Sequence, residues 1–354
     1  MKMSRITAIM SKWPVINGSS RQRWLQELME TDPPGITFKA KDIDLVGVAS
    51  ILSRVTGKPF NALGTIPPPA YTLETEGMRF WEIYRALNEQ EEFSFSNGIS
   101  ALGLRRPVLT KWDQMQMHRG FALFLKKPEP AGDGSAAYKT RVDLGFDPRI
   151  EVATVGTPEF SGVTDERGKR WTVEVPQSNG IPLGNRAILI SHTHTVTAPE
   201  GAGKVLTVAG VWPVQIAEEW KTVELKDLTK PPEGALVFGQ KEVTITQLAL
   251  TDTGLGNWSL RLTMQNNSPK AVAAAGVRRE AALRAMLMNQ EPQFEVVLMD
   301  SAGTVLVTKM VPGTVNMNTN VTVVEKVAKV VLKYPVKLRG YRVPFEFKDV
   351  AAGG

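Results

Sequence analysis

The chain contains no cysteine. That one absence excludes disulfides, iron–sulfur clusters, cysteine zinc sites and thiol nucleophiles together. Histidine is nearly absent too: His118, His192 and His194 are the whole supply. Imidazole catalysis therefore has few candidates. No apolar run approaches the roughly 20 residues a membrane helix needs. There is no Gly-x-Ser-x-Gly elbow, no phosphate loop and no Gly-x-Gly-x-x-Gly between a strand and a helix. Gly254-Leu255-Gly256-Asn257 reads as a hairpin turn, because a strand pattern follows it.

What is present is ordinary globular material. Hydrophobic residues are 42% and charged residues 22% of 354, a length that points to two or three domains. The net charge of +6 is spread evenly along the chain. The densest basic clusters are the doublets Arg105-Arg106 and Lys126-Lys127, too small for the basic face or arm of a nucleic-acid binder. The start, MKMSRITAIMSKWPVING, has a basic flank, but Ser11, Lys12 and Pro14 break its apolar stretch. It does not read as a signal peptide.

Residues 1–34 read as an arm with one short helix. Trp24, Leu25, Leu28 and Met29 make its stripe, and Asp32-Pro33-Pro34-Gly35 stops it. A mixed pattern follows. Ile36 to Phe38 alternates as a strand. Asp44 caps a helix with Leu45, Val48, Ala49, Leu52 and Val55 inward and Gly57 as its stop. Pro59 to Leu63 and Tyr71 to Thr75 are strands. A second helix runs from about Met78 to Gln90, with Phe80, Ile83, Tyr84 and Leu87 inward, and Phe93 to Ser96 is a last strand before the turn Asn97-Gly98. The order is βαββαβ, which predicts two helices covering one face of a small sheet.

This spacing resembles the short N-terminal (STN) domain of secretins and TonB-dependent receptors. The residues that carry the resemblance are Ile36 to Phe38, Asp42-Ile43-Asp44-Leu45, Ala49, Leu52, Gly57, Leu73, Phe80, Ala86-Leu87 and Phe93 to Phe95. They span about 65 of the 354 residues, and none is catalytic.

Beyond residue 99 the period becomes two. Strands are predicted at Phe121 to Leu125, Arg141 to Phe146, Ile150 to Val155, Trp171 to Val175, Ala187 to Val196, Val205 to Trp212 and Val223 to Leu225. Asp165 to Lys169 is a hairpin turn. The loop Pro128 to Ser135 and the segment Pro231-Pro232-Glu233-Gly234 read as boundaries. Strands restart at Glu242 to Leu250, Asn257 to Met264, Phe294 to Met299, Val305 to Met310, Asn320 to Val324, Val327 to Lys333 and Tyr341 to Phe347. The expected chain is thus an α+β and all-β multidomain protein. It has an arm (1–34), an STN-like domain with trailing strands (35–135), one β-sandwich (136–230), and a second (231–354) with a helical insertion at about 271–289.

The whole order also resembles uncharacterised proteins of planctomycete-type bacteria, in which an STN-like domain precedes two β-sandwich segments. Gly120 to Leu125, Asp147-Pro148-Arg149-Ile150 and the ending Val343-Pro344-Phe345-Glu346-Phe347-Lys348-Asp349 carry this resemblance. It implies an exported or envelope-associated protein, periplasmic or in the cell envelope. Without a signal peptide, the start taken as it stands implies the cytoplasm instead.

Candidate chemistry is sparse. His192-Thr193-His194 places two imidazoles on one strand face, where they could grip a metal, but no third ligand is evident nearby. An exposed polar strand face is the competing reading. Met115-Gln116-Met117-His118 offers soft copper ligands, yet on a strand the methionines and the histidine point opposite ways. Trp81, beside Tyr84 at the edge of its helix stripe, is either peripheral core or an exposed anchor for a protein partner. No cofactor is called for. The expectation is a non-enzymatic protein whose STN-like domain docks a protein partner, with the sandwiches as spacers or adhesion modules. One alternative is a carbohydrate-binding sandwich protein using Trp171, Trp212, Trp220 or Trp258; another is a metal-dependent hydrolase built on His192 and His194. Neither nucleic acid nor an integral membrane segment is expected.

Overall fold

The computed structural model describes residues 31–63, 71–90, 92–97, 102–105, 112–132, 136–174, 181–182, 188–254, 257–267, 293–311, 316–323 and 325–352. The arm helix at 21–30 and the helical insertion at 271–289 lie outside them. Strands dominate, and the described residues hold two α-helices.

The first module runs β1 (Ile36–Ile43), α1 (Leu45–Thr56), β2 (Phe60–Leu63), β3 (Tyr71–Met78), α2 (Phe80–Gln90), β4 (Ser94–Asn97) and β5 (Leu102–Arg105). Helix α1 begins where Asp44 turns extended and its Oδ1 accepts the Gly47 N–H at 2.8 Å. It ends at Gly57, whose N–H returns to the Ser53 carbonyl. Helix α2 begins with the Arg79 N–H donating to Glu82 Oε2 at 2.7 Å. The strands do not form one sheet under two helices. β1 and β3 pair antiparallel by themselves, and β2-β5-β4 is a separate three-stranded sheet with β2 and β5 parallel. The missing element in the expectation was β5, a four-residue strand whose first three residues are all buried, so that its burial does not alternate. Leu45, Val48, Leu52, Phe60, Tyr71, Phe80, Trp81 and Leu87 share the module's core.

The rest is built on a seven-stranded spine sheet, ordered β12-β9-β14-β21-β18-β19, with β10 on the same edge of β14 as β9. Its members are β9 (Val152–Val155), β10 (Glu159–Asp165), β12 (Ile181–Pro182), β14 (Val205–Leu225), β18 (Phe294–Met299), β19 (Val305–Val311) and β21 (Lys329–Ala351). A near sheet packs on one end of it: β11 (Thr172–Glu174), β13 (Leu189–Thr197), β8 (Ala137–Phe146), β7 (Phe121–Pro130) and β6 (Gln114–His118). A far sheet packs on the other end: β15 (Ala235–Phe238), β16 (Lys241–Gly254), β17 (Asn257–Asn266) and β20 (Asn316–Val323).

Two expected boundaries therefore change meaning. Pro128 to Pro130 belong to β7, which pairs antiparallel with the next strand, β8. The break at 230 does not separate two bodies, because β14 and β21 pair with each other from Val205↔Ala351 to Leu225↔Val330. The near core takes Trp212, Val214 and Ile216 from β14 and Val343, Phe345 and Phe347 from β21. The far core takes Leu225 from β14 and Val330, Leu332 and Tyr334 from β21. Each of these strands was expected as two, because prolines interrupt both. Pro213 sits where β10 hands over to β9 on that edge of β14, and its carbonyl accepts the Gly156 N–H. Its missing N–H costs no ladder bond there.

At 21 residues, β14 spans about 70 Å at ~3.3 Å per residue. At its waist Glu218 is an extra residue on β14 and Val336 an extra residue on β21. These two bulges change the inward-facing positions from even to odd on β14 and from odd to even on β21. One face of the spine thus keeps meeting a core along its whole length.

The first module lies on the outer face of the near sheet. Ala122 and Phe124 of β7 join the module's core, while Phe121, Leu123 and Leu125 face the near core. The run Phe121 to Leu125 is apolar at every position because both of its faces are covered.

Candidate functional site

Trp81 is the joint between module and sandwich. Its indole is 1% exposed, and Tyr84 is 4% exposed. Neither is an exposed anchor, which corrects the partner-binding assignment of Trp81 and Tyr84. Trp81 Nε1 donates to the Gly120 carbonyl at 3.2 Å. The ring meets Phe80, Tyr84, Phe95 and Phe124 edge-on, with centroids 5.1–5.8 Å apart. On the near sheet, a Cβ at Gly145 would fall 2.4 Å from the indole ring. Only glycine leaves room for it. A helix-wheel argument placed Trp81 at a stripe edge correctly but could not see the sheet that covers that edge.

His192 and His194 do share a face of β13, and that face looks inward. Along Leu189–Thr197, Ile190, His192, His194 and Val196 are buried, and their neighbours are more exposed. The exposed polar face expected for the two histidines is thus wrong; Ser191 and Thr193 carry it. The two ring centroids are 6.4 Å apart. Phe160 of β10 lies 4.3 Å from His194, and Trp212 of β14 lies 6.3 Å from His192. Burial pushes the His194 imidazole down to about 3; the neighbouring His192 adds to this, and the His192 backbone opposes it weakly. Burial lowers His192 as well. Among the described residues no group of three or more Cys, His, Asp or Glu side chains stands close enough to hold a metal ion. The pair faces the near core and packs beside the rings of Phe160 and Trp212.

Of the tryptophans weighed as a glycan platform, Trp171 and Trp212 are buried in the near core. Trp212 Nε1 donates to the Gly156 carbonyl at 2.7 Å. Trp220 is half-buried, and Trp258 is half-buried with the Lys326 ammonium 5.3 Å over its ring. Trp220 stands on β14 and Trp258 on β17, in different sheets.

A polar seam that no spacing announced lies where the arm, α2, the β6–β7 hairpin and β21 converge. His118 Nε2 is 2.8 Å from the Tyr341 hydroxyl. Arg119 has φ 54°, an uncommon conformation for a non-glycine residue. Its guanidinium donates to Thr31 Oγ1 at 2.9 Å and sits 5.9 Å over the Tyr341 ring. Arg79 pairs with Asp32 at 3.2 Å. The Gly120 N–H donates to the Thr31 carbonyl at 2.6 Å, and the Gly120 carbonyl also accepts the Asp147 N–H. Burial lowers the His118 imidazole, helped by Arg119 and Arg79 and opposed by Asp32. Burial raises the Asp32 carboxyl, against the pull of Arg79 and Arg119. Nearby, Asp143 is fully buried under the module, held by two bonds from Arg141 and one from Trp112 Nε1. Both groupings draw on segments far apart in sequence. Met115 and Met117 pack toward the module's core rather than converging with His118.

No helix among the described residues is long and apolar enough to cross a membrane. No family model, curated protein or solved structure matches this chain.

Proposed function

We propose that this is a non-enzymatic, exported or envelope-associated protein whose first module, read as STN-like, docks a protein partner by accepting a strand. The two sandwiches serve as one stiff spacer. The observation that carries the reading is the outer edge of β1. Among the described residues β1 pairs only with β3. The Phe38 N–H points to Thr75 Oγ1 on β3, so strand alternation turns the Lys39 N–H outward. Two other stretches of strand edge are met by side-chain amides. Gln90 bonds both the N–H and the carbonyl of Thr72 on β3. Gln114 and Gln116 of β6 bond the Lys348 carbonyl and the Glu346 N–H on β21. An extended segment added at β1 would gain main-chain hydrogen bonds without displacing anything described.

Strand addition at β1 needs the outward N–H of Lys39. The test is recovery of tagged protein from envelope and cytosolic fractions of its host, followed by mass spectrometry, for the native chain and for Lys39→Pro. The expected result is a near-stoichiometric protein in the envelope fraction that Lys39→Pro loses while the thermal transition is kept. Recovery from the cytosol alone, or a partner indifferent to Lys39→Pro, would overturn the proposal.

A further inference from the structure

The outer edge of β1 is also a charged edge. Along Ile36–Ile43, Thr37, Lys39 and Lys41 are exposed, while Phe38 and Ala40 between them are half-buried. A strand turns its side chains up and down, and its main-chain groups left and right, with the same period of two. The Phe38 N–H donates to Thr75 Oγ1 on β3, and the Phe38 carbonyl accepts from the same hydroxyl at 3.3 Å. On the other side the Asp42 N–H donates to Thr72 Oγ1 on β3 at 3.2 Å. The main-chain groups of Lys39 and Lys41 therefore face away from β3, and the two lysine side chains share the exposed face. Charge alternates across the β1–β3 pair: Lys39 lies opposite Glu74 in the register, and the two form an ion pair with both side chains largely exposed. The Lys41 ammonium has no partner among the described residues.

Register shifts flank the regular stretch from Phe38 to Ala40, and Asp42 leaves extended geometry at φ 52°. A strand laid on this edge therefore meets Thr37 to Lys41 and little more. Its residues directly opposite Lys39 and Lys41 rise on the same exposed face, where opposite charges attract and like charges repel. The residue between those two turns to the other face, beside half-buried Phe38, which packs against the module's core. That position suits a small apolar side chain. A second copy of β1 fits badly. Paired antiparallel along this edge, it sets exposed-face residues opposite one another, so lysine faces lysine.

Resting on the strand addition proposed above, we infer that the β1 edge selects an extended segment with two acidic residues spaced i, i+2 and an apolar residue between them, and that it turns away a second copy of this chain. Main-chain bonding along the edge is indifferent to sequence, so Lys39 and Lys41 supply the choice. Each cross-strand pair of opposite charge raises affinity roughly 1.4- to 5-fold, and each like-charge pair lowers it by a similar factor. Over the two lysines, an acidic and a basic segment are separated by roughly tenfold. Both lysines are exposed, so the preference shrinks as salt shortens the reach of charge.

The probes are two end-blocked, fluorescently labelled peptides, one alternating Val with Glu and the other Val with Lys, each flanked by Thr. The full chain, up to about 1 mM, is titrated into each peptide at low salt, and binding is read by fluorescence anisotropy. The native chain is expected to bind the Glu peptide roughly tenfold more tightly than the Lys peptide, with the gap narrowing at about 0.5 M salt. The double variant Lys39→Glu with Lys41→Glu should reverse the order, and Lys39→Pro should lose both peptides. Lys41→Glu alone, which breaks no ion pair, narrows the gap and serves if the double variant folds poorly. Equal binding of the two peptides, lost in Lys39→Pro, would overturn the acidic preference and leave strand addition standing. Binding of neither peptide, or binding indifferent to Lys39→Pro, would overturn docking at β1 and this inference with it. A concentration-dependent dimer of the native chain that Lys39→Pro dissolves would overturn the exclusion of a second copy.

Discussion

The near and far sheets pack on the same spine through the same two strands, yet they are built differently. β7 in the near sheet is buried at all five positions from Phe121 to Leu125. β16 in the far sheet mixes buried Val243, Ile245 and Leu248 with exposed polar residues. The near sheet is a middle layer, with the spine on one face and the α+β module on the other. Among the described residues the far sheet is an outer layer. The comparison teaches that the module is a third layer of the near sandwich and not a domain on a tether. Any force or partner engaging the module is therefore passed directly to the spine.

The way to break that comparison is to strip the module off. Trp81→Ala removes the ring that fills the space over Gly145 and the bond to Gly120. A fully buried tryptophan lost to alanine costs about 3–5 kcal/mol. Urea unfolding should show this as the largest single loss of the series, confined to the transition that reports the module and near core. Far-sheet amides should keep their protection by hydrogen exchange.

An effect smaller per pH unit than the loss of Trp81 sharpens the contrast between the two cores. The folded chain holds His194 at about 3, well below the ~6.5 of an unfolded histidine. Between these values the unfolded chain binds a proton that the folded chain refuses. Near-core stability is thus fully present above pH ~6.5 and is lost as pH falls toward 3, with a slope of about 1.4 kcal/mol per pH unit for one proton. Trp212, beside His192, offers a fluorescence probe of this core. The far core, packed by Phe238, Phe294 and Tyr334 with Val and Leu, should show no such slope from histidine. Urea midpoints at a series of pH values check both.

Sequence patterning made local structure legible and long-range structure illegible, for physical reasons. Asp44 and Gly57 could be read as caps because a cap is satisfied within four residues. The strand alternation at Tyr71 to Thr75 could be read because burial of one face imposes it. The inward turn of His192 and His194 was ambiguous. Period two says that they share a face but not which one, and Ile190 and Val196 on the same face were the signal that it was the core. The seam of His118, Arg119, Tyr341, Asp32 and Arg79 was invisible because its members come from four separate segments. The unbroken run of β14 and β21 was invisible because Pro213 and Pro335 look like stops until the neighbouring strand is known.

Within the module, Asp44→Ala tests whether α1 is held mainly by its own ends or by the sandwich. The Asp44 carboxylate satisfies one otherwise unbonded N–H at the start of the helix. Its loss should cost about 1 kcal/mol. Because the helix is anchored by buried Leu45, Val48, Ala49 and Leu52, the helical signal in circular dichroism should persist while the unfolding midpoint drops.

The smallest effect concerns an ion pair that stitches the end of α1 to the spine. Lys58 Nζ lies 3.0 Å from Glu151 Oε1, with the two side chains 20% and 36% exposed. The Glu151 carbonyl also accepts the Ala217 N–H of β14, so its backbone is fixed whatever its side chain does. Lys58 follows directly on the Gly57 cap, which fixes the start of its side chain as well. Both partners are thus pre-positioned, and little side-chain freedom is lost in pairing them. Solvent still reaches the pair, so its coupling should be about 0.5 kcal/mol, in the ordinary range for partly exposed pairs. A double-mutant cycle of Lys58→Met and Glu151→Gln, read by urea unfolding at low and high salt, checks it. A coupling that vanishes in salt fits a module held by Trp81 and apolar contact. A coupling several times larger that resists salt would mean that the third layer is held by charge, and the contrast between the near and far sheets would then need a different cause.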